Sequence, residues 1–102
     1  VLGRPEIKFL KYNTGGHYDW HIDIGSHRHN NRKLAFVIPL SKPEDYEGGE
    51  LIIKTSSRES SIPLEQGKII LFPAFLLHKV TKVTQGKRYV IAGWLNGTQH
   101  FS

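Results

Sequence analysis

The chain has 102 residues, a formal net charge of +5, and neither cysteine nor methionine. This length suffices for one compact domain, and 38% hydrophobic with 23% charged residues is ordinary for a globular protein, which excludes a disordered chain. No apolar run approaches the roughly 20 residues of a membrane-spanning helix. Without cysteine, any bound metal must be held by imidazole and carboxylate groups. The lack of cysteine and of a secretory leader favours a cytoplasmic location.

Positive charge is scattered except in one stretch, residues 26–33, which contains Arg28, Arg32 and Lys33 together with two histidines. A basic patch can bind polyanions, but this stretch has no aromatic residue that would stack on bases. We therefore interpret it as a solvated loop, and we expect neither a nucleic-acid partner nor a membrane partner.

Short apolar or alternating segments separated by turn residues predict an all-β domain. A polar tip at residues 56–61 interrupts a series of predicted strands at residues 7–12, 18–24, 34–40, 50–55, 62–64, 68–72, 76–80 and 87–95. The nearly continuous apolar run at 34–40 predicts a strand covered on both faces, with Pro39 at an edge or a bulge. No segment has helical periodicity, so the pattern indicates an antiparallel sandwich or barrel.

Alternate residues of the second predicted strand share a face. One face, the predicted core side, carries Tyr18, Trp20, Ile22 and Ile24. The other face carries His17, Asp19, His21 and Asp23. Two imidazoles and two carboxylates suit a metal site, although a solvent-facing polar strand has the same pattern of polarity. The two His-x-Asp pairs have identical spacing, so the residues alone leave the choice between them open.

His78 is the candidate for a third ligand. It follows an apolar run after the bend at Pro73, whereas His27 and His29 lie in the basic stretch and His100 lies near the end of the chain. A histidine among apolar residues is also typical of a hydrogen-bonded core residue, which is the alternative. With one His-x-Asp pair, His78 would complete the two-histidine, one-carboxylate arrangement of non-heme iron(II) sites.

Arg88 begins the last apolar run, residues 89–95, which is predicted to be buried on both faces. A buried guanidinium needs an anion, because burying it unpaired is costly. A neighbouring acidic side chain could supply that anion, or the guanidinium could reach solvent. The turn at Gln85 and Gly86 brings Arg88 back towards the strand of His78, so a short dicarboxylate that bridges the two is the third alternative.

Several of these residues occur in the order of a known family. The matching positions are Tyr12, Gly16, Tyr18, His21, Asp23, residues 43–51, Gly67, Phe72, Pro73, His78, residues 86–88 and Trp94. They resemble the prolyl 4-hydroxylase-like iron(II)/2-oxoglutarate oxygenases, and within these the PKHD-type hydroxylases of bacteria and phages. The resemblance covers residues 8–96, and it implies a double-stranded β-helix, the jelly roll that is also found in cupins.

The resemblance also implies the metal ligands. Tyr18 matches a tyrosine three residues before the family's first ligand, which implies that His21 and Asp23 bind the metal, rather than the pair at 17 and 19. His78 stands where the family has its distal ligand. The implied catalytic residues are therefore His21, Asp23 and His78.

A cosubstrate site is implied in the same way. Arg88 would bind the remote carboxylate of 2-oxoglutarate, Tyr12 would hydrogen-bond to it, and Trp94 would form a wall of the pocket. Ala92 stands where some members have a hydroxyl residue, so this chain would make fewer polar contacts. The implied cofactors are iron(II), 2-oxoglutarate and ascorbate, which restores oxidised iron.

The implied reaction is hydroxylation of a substrate C–H bond, with decarboxylation of 2-oxoglutarate to succinate and with peptidyl proline as the leading substrate. Asp23 favours hydroxylation, because related halogenases have a small residue there. A small molecule or a nucleic-acid base is an alternative substrate, although a second arginine soon after Arg88, as in nucleic-acid demethylases, is missing. A non-catalytic jelly roll that binds metal or ligand is the alternative from another class.

We expect residues 1–102 to form a single oxygenase core domain. Relatives carry helices before the first matched strand, where they buttress the jelly roll, and this sequence begins almost at that strand. Either the helices have been lost or the sequence stops short of them.

Overall fold

The computed structural model describes residues 2–23 and 32–97. Most of the basic stretch lies outside these ranges, as do Ile24 and His100. A short 3₁₀ turn, Pro43–Asp45, accompanies ten strands: β1 Leu2–Tyr12, β2 Tyr18–His21, β3 Arg32–Pro39, β4 Tyr46–Gly48, β5 Leu51–Thr55, β6 Arg58–Ile62, β7 Ile70–Pro73, β8 Leu77–Val80, β9 Val83–Gly86 and β10 Arg88–Gly97.

The strands form two four-stranded antiparallel sheets. Sheet A has the order β1-β10-β3-β7 and sheet B has the order β2-β8-β5-β6, while β4 and β9 form a separate two-stranded ribbon. Most neighbours within a sheet are distant in sequence, as expected when one chain winds back and forth between two sheets. This arrangement confirms the predicted all-β fold, a double-stranded β-helix. Nothing among the described residues forms a helix that could cross a membrane.

The core lies between the two sheets. Ala35 and Phe72 from sheet A are buried in one cluster with Leu51 and Ile53 from sheet B. Strand alternation selects these residues, since Ile52, which lies between the two buried residues of β5, faces the other way and is only partly buried. Burial of each large apolar side chain contributes roughly 1.5–3 kcal/mol, so this cluster holds the sheets together.

The outer face of sheet A is apolar, and among the described residues nothing covers it. Ile7 and Phe9 on β1 are 62% and 65% exposed. Ile38 on β3 and Ile91 on β10 lie side by side on the same face and are only partly buried. The prediction that both apolar runs are covered on two faces was therefore wrong at Ile38 and Ile91, which are only partly buried. A contiguous apolar surface of this kind is typical of a face that packs against another element.

Strand boundaries differ from the prediction in the polar segment. β6 occupies most of the predicted tip at 56–61 and pairs with β5 through a tight turn at Ser56 and Ser57. Since β6 is an edge strand of sheet B, polar side chains are tolerated along it. The short strands β4 and β9 were not predicted either. Pro39 lies at an edge of the sheet, as predicted. It ends β3 at a point where the strand still pairs with β10 on one side but no longer pairs with β7 on the other.

Gly93 allows an aromatic ring to lie across β10. Phe36 stands directly opposite Gly93 on β3. A Cβ atom at Gly93 would collide with the Phe36 ring and with the main-chain oxygen of Glu6 on β1. Because β10 is hydrogen-bonded on both sides, the strands cannot move apart to relieve the collision without losing ladder hydrogen bonds.

We predict that Gly93→Ala lowers the free energy of unfolding by about 3 kcal/mol, because it overpacks a fixed position. Gly67→Ala is the control: Gly67 has a φ of +79°, and a Cβ atom at this position would have no neighbour within 4 Å, so only backbone strain of about 1 kcal/mol is expected. Urea unfolding followed by circular dichroism measures both. Equal effects of the two substitutions would contradict the packing account.

Candidate functional site

Two histidines face each other across strands β2 and β8. His21 and His78 are register partners, and their ring centroids are 4.2 Å apart. Asp23 follows β2, and its two carboxylate oxygens each lie 3.4 Å from the Nε2 atom of one of the histidines. One ligand atom from each of the three residues lies within 4.8 Å of the others, and no second such group occurs in the described ranges. This is the geometry of a candidate metal centre.

The second strand is irregular just before the centre. The pairing of β2 with β8 shifts between Tyr18 and His21, and the rings of these two residues stack with centroids 3.9 Å apart. In a regular strand, residues three apart would face opposite ways. Tyr18 and Ile22 are 53% and 48% exposed and line the cavity, so their predicted place in the core was wrong.

The other His-x-Asp pair lies outside the cluster. His17 is exposed, and its Nδ1 atom is 3.2 Å from the carbonyl oxygen of Gly15. Asp19 is exposed, and its carboxylate accepts the main-chain N–H of Trp20 at 3.3 Å. The choice that spacing left open is therefore made by position: only the later pair reaches His78.

Main-chain carbonyls orient both imidazoles. The Nδ1 atom of His21 is 2.6 Å from the carbonyl oxygen of Asp19, and that of His78 is 2.8 Å from the carbonyl oxygen of Leu76. A carbonyl oxygen can only accept, so each Nδ1 atom carries the proton and donates it. In the neutral imidazoles the Nε2 lone pairs are then directed at the space beside Asp23, as in metal sites where a hydrogen bond to the far nitrogen fixes the tautomer.

The same contacts set the charges of the cluster. Burial alone would raise the pKa of Asp23. Hydrogen bonds that the protonated rings of His21 and His78 donate from Nε2, a weaker polar contact with Trp94 and the charge of protonated His78 outweigh burial and hold the pKa well below its ordinary value. Burial would lower the pKa of His21, but the hydrogen bonds of its ring to Asp23 and to the main chain of Asp19 outweigh burial and raise it. Asp23 is therefore ionised at neutral pH, and metal binding competes with a proton on His21.

The cluster opens into a cavity of about 240 Å³ with walls from both sheets. Besides the three candidate ligands, it is lined by Lys8, Leu10, Tyr12, Tyr18, Ile22, Arg32, Ala35, Phe36, Val37, Leu51, Phe72, Val80, Ala92, Gly93 and Trp94. Most of these side chains are apolar, so water is excluded from much of the wall and the polar groups stand out.

Arg88 is a buried cation without a hydrogen-bond acceptor for two of its nitrogens. Only 2% of the residue is exposed, and its Nε and Nη1 atoms have no partner in the described structure. Its register partner Tyr12 lies 5.2 Å from the guanidinium, measured from the ring centroid to Cζ. Tyr12 lines the cavity, whereas Arg88 is not among the residues that line it. Burial, partly offset by Arg88, raises the pKa of Tyr12, which therefore keeps its hydroxyl proton.

A turn of two glycines lies beside Arg88. Gly48 and Gly49 both have positive φ angles, 76° and 62°. A Cβ atom at Gly49 would lie 3.0 Å from Val83 Cγ2 and 3.2 Å from Arg88 Cδ. At Gly49 the main chain therefore lies directly against the stem of Arg88, whereas a Cβ atom at Gly48 would collide with the main-chain oxygen of Lys82.

Trp94 lies on the cavity wall, as the sequence resemblance implied. Its indole nitrogen is buried and makes no hydrogen bond of regular geometry. The indole N–H nonetheless helps to lower the pKa of Asp23, so we regard it as a weak polar contact of that carboxylate rather than as a full hydrogen bond.

Arg32 is a site residue that the sequence analysis missed. It begins β3 and lines the cavity, with its side chain only 11% exposed, so it is not part of a solvated loop. Its ion-pair partner is Glu6, which is 26 residues away in the chain. No local signal in the sequence identifies such a contact, because the pairing depends on β1 and β3 lying on either side of β10.

Comparison with known proteins identifies the family of the chain. Residues 7–96 match the family described as the 2OG-Fe(II) oxygenase superfamily. A PKHD-type hydroxylase of Prochlorococcus marinus (strain NATL2A) is 39% identical over 89 residues, which are 87% of this chain and 40% of the relative. The chain thus spans about two-fifths of the length of the curated relatives that it matches.

Solved structures share the fold. A prolyl-4-hydroxylase of Pseudomonas putida superposes with a TM-score of 0.80 at 22% identity, over 95% of this chain and 53% of that one. A prolyl hydroxylase of Trichoplax adhaerens, solved with a peptide fragment of the hypoxia inducible factor oxygen degradation domain, gives a TM-score of 0.78 at 19% identity, over 94% and 46% of the two chains. With a family match that extends over nearly all of β1 to β10, the chain belongs to the 2OG-Fe(II) oxygenase superfamily.

Proposed function

We propose that this chain is the catalytic core of an iron(II)- and 2-oxoglutarate-dependent hydroxylase. His21, Asp23 and His78 would hold the iron, and Arg88 with Tyr12 would hold the remote carboxylate of 2-oxoglutarate. The family membership supports the reaction class, and the three converging ligand side chains support the metal site.

The observation that carries this proposal is the buried guanidinium of Arg88, two of whose nitrogens have no hydrogen-bond partner in the described structure. Burying a cation without an acceptor costs free energy, so such a group is retained where something other than stability requires it. A dicarboxylate that chelates the metal at one end could place its other carboxylate in this region, where Tyr12 donates a hydrogen bond and Arg88 supplies the positive charge.

The donor set also fits iron(II). Two imidazoles and one carboxylate, all on one side, leave coordination positions open to small ligands, as in non-heme iron(II) oxygenases. When bound, iron(II) would let molecular oxygen act as the oxidant, with 2-oxoglutarate as the co-substrate: one oxygen atom of O2 would enter succinate as carbon dioxide is lost, and the other would enter the substrate as a hydroxyl group. The protein orients the donors through the carbonyls of Asp19 and Leu76, keeps Asp23 ionised, and surrounds the reacting groups with apolar walls.

Peptidyl proline is the substrate that we propose first. Relatives by fold include prolyl hydroxylases, one of which was solved with a peptide. The cavity mouth is bordered by exposed side chains, Lys8, Tyr18 and Ile22, over which an extended peptide could lie. A small molecule that enters the cavity entirely is the second candidate, favoured by its modest volume of about 240 Å³. We also propose that ascorbate keeps the iron reduced.

Mixing the protein with iron(II) and 2-oxoglutarate without oxygen should produce the weak visible charge-transfer band of the chelate. His21→Ala should abolish the band, because it removes one of three ligands, whereas His17→Ala should leave it. His17 is the matched control, since it belongs to the neighbouring His-x-Asp pair and lies outside the cluster. Absence of a band in folded wild-type protein would contradict the enzyme proposal, and the reverse response of the two variants would show that the wrong pair was assigned.

Replacing Arg88 by lysine should weaken 2-oxoglutarate binding about 10- to 100-fold, because an ammonium cannot reproduce the charge-assisted hydrogen bonds of a planar guanidinium. Metal affinity should change little, since Arg88 is not among the candidate ligands. Calorimetric titration with 2-oxoglutarate in the presence of manganese(II) measures the effect. Lys87→Ala, at the exposed neighbouring position, is the control, and an unchanged affinity in Arg88→Lys would refute the assigned role.

Succinate release measured against a panel of candidate substrates should identify the substrate class. We expect proline-containing peptides to raise succinate formation above the rate without substrate, and free amino acids and methylated oligonucleotides to leave that rate unchanged. Mass spectrometry of the peptide should then show a gain of one oxygen atom. Stimulation by free amino acids alone would favour the small-molecule alternative and would contradict the peptide proposal.

A further inference from the structure

The Arg32 guanidinium connects three strands of sheet A with the metal centre. Its Nε and Nη2 atoms donate to the two carboxylate oxygens of Glu6 on β1, at 2.9 and 3.0 Å. Its Cζ atom lies over the indole of Trp94 on β10, 3.9 Å from the ring centroid. The remaining nitrogen, Nη1, donates to the main-chain carbonyl of Asp23 at 3.2 Å.

The geometry of these contacts leaves the guanidinium little freedom. A planar fork that is paired with a carboxylate at two nitrogens has its third nitrogen directed to a fixed point. Contact with the Trp94 ring further restricts rotation of the guanidinium about its ion pair with Glu6. The position of Nη1, and with it the contact to Asp23, is therefore set by residues of sheet A that lie far from Asp23 in the sequence.

The main chain of Asp23 is hydrogen-bonded on both sides of its Cα atom. Its N–H donates to the carbonyl of Ala74 at 2.9 Å, and its carbonyl accepts from Arg32. Asp23 has no strand pairing of its own, because β2 ends at His21. The residue that supplies the carboxylate ligand thus depends on these two hydrogen bonds for its main-chain position.

We propose that Arg32 is a positioning residue that fixes the main chain of Asp23 and the ring of Trp94, and thereby raises the affinity of the centre for a divalent metal. This inference rests on the proposed function only in treating the cluster as a metal site. Arg32 acts through Asp23 and need not touch the metal.

Electrostatic repulsion alone predicts that removing Arg32 raises the affinity for a metal cation, whereas a positioning role predicts that it lowers the affinity. The direction of the change therefore tests the proposal. Arg32 carries a positive charge close to the centre, so its removal should by Coulomb's law strengthen the binding of a cation. If Arg32 positions Asp23, its removal should weaken the binding, as loss of an outer contact to a ligand typically costs about 10- to 100-fold in metal affinity.

The experiment is a titration of the purified protein with cobalt(II) alone, without 2-oxoglutarate or substrate, followed through its visible ligand-field absorption. We expect Arg32→Ala to bind cobalt(II) about tenfold more weakly than wild type, with an altered spectrum. Arg32→Lys keeps the charge, but a lysine cannot pair with both oxygens of Glu6 and lie over the Trp94 ring at the same time. It should therefore also bind cobalt(II) more weakly than wild type. Glu6→Gln should also bind cobalt(II) more weakly, because it removes the bidentate ion pair that holds the Arg32 guanidinium while keeping the arginine itself.

Lys8→Ala is the matched control, since Lys8 also lies over the Trp94 ring, at 5.4 Å, and lines the same cavity without contacting Asp23. It should bind cobalt(II) as tightly as wild type or slightly more tightly. Arg32→Lys keeps the test decisive if Arg32→Ala does not fold, because it leaves the charge unchanged, whereas Glu6→Gln supports the proposal only together with an Arg32 variant, since loss of a negative charge also weakens cation binding. Unchanged or tighter binding in the Arg32 and Glu6 variants, or equal weakening in Lys8→Ala, would overturn the proposal.

Failure of this proposal can be told apart from failure of the proposed function. If wild-type protein does not bind cobalt(II), or binds it equally well after His21→Ala, the metal site itself is refuted. If wild type binds cobalt(II) through His21 and the Arg32 variants bind it equally well, only the positioning role is refuted.

Discussion

The site depends on how Asp23 is held between the two sheets. β2 brings His21 opposite His78 in sheet B, but it ends before Asp23. The position of the carboxylate beside the two histidines therefore depends on two main-chain hydrogen bonds of Asp23. Its N–H donates to the carbonyl of Ala74, in the connection between the sheets, and its carbonyl accepts from Arg32 of sheet A. Packing of Phe72 against both Ala35 and the ring of His78 ties the same region to the core. Fold and site thus share one set of contacts.

Two buried charges distinguish this interior from an ordinary sandwich core. The negative charge of Asp23 is offset by His21 and His78, whose hydrogen bonds lower the pKa of Asp23. Two nitrogens of Arg88, by contrast, have no hydrogen-bond partner among the described residues. Charges of this kind reduce stability in the absence of a ligand and are retained at functional sites. A metal ion beside Asp23 and an anion beside Arg88 would each relieve one of these costs. Part of the affinity for a metal and a dicarboxylate would therefore come from groups that the fold has already removed from water.

The sequence predicted the fold class and the ligand types, because strand alternation and turn residues are local signals. It could not choose between the two His-x-Asp pairs by spacing, since the deciding factor is where β2 ends relative to His78. The irregularity between Tyr18 and His21 has no signature in the side chains, so Tyr18 was misplaced in the core. Arg32 was missed for a related reason: its role arises from strands that become neighbours only in the folded sheet.

The most direct test of this account is a crystal structure of the protein with manganese(II) and 2-oxoglutarate, in which anomalous scattering locates the metal. The account predicts one metal ion bound by Nε2 of His21, Nε2 of His78 and the carboxylate of Asp23, and a ligand carboxylate in contact with Arg88. A metal ion held by His17 and Asp19, or a 2-oxoglutarate molecule whose remote carboxylate lies away from Arg88, would contradict it.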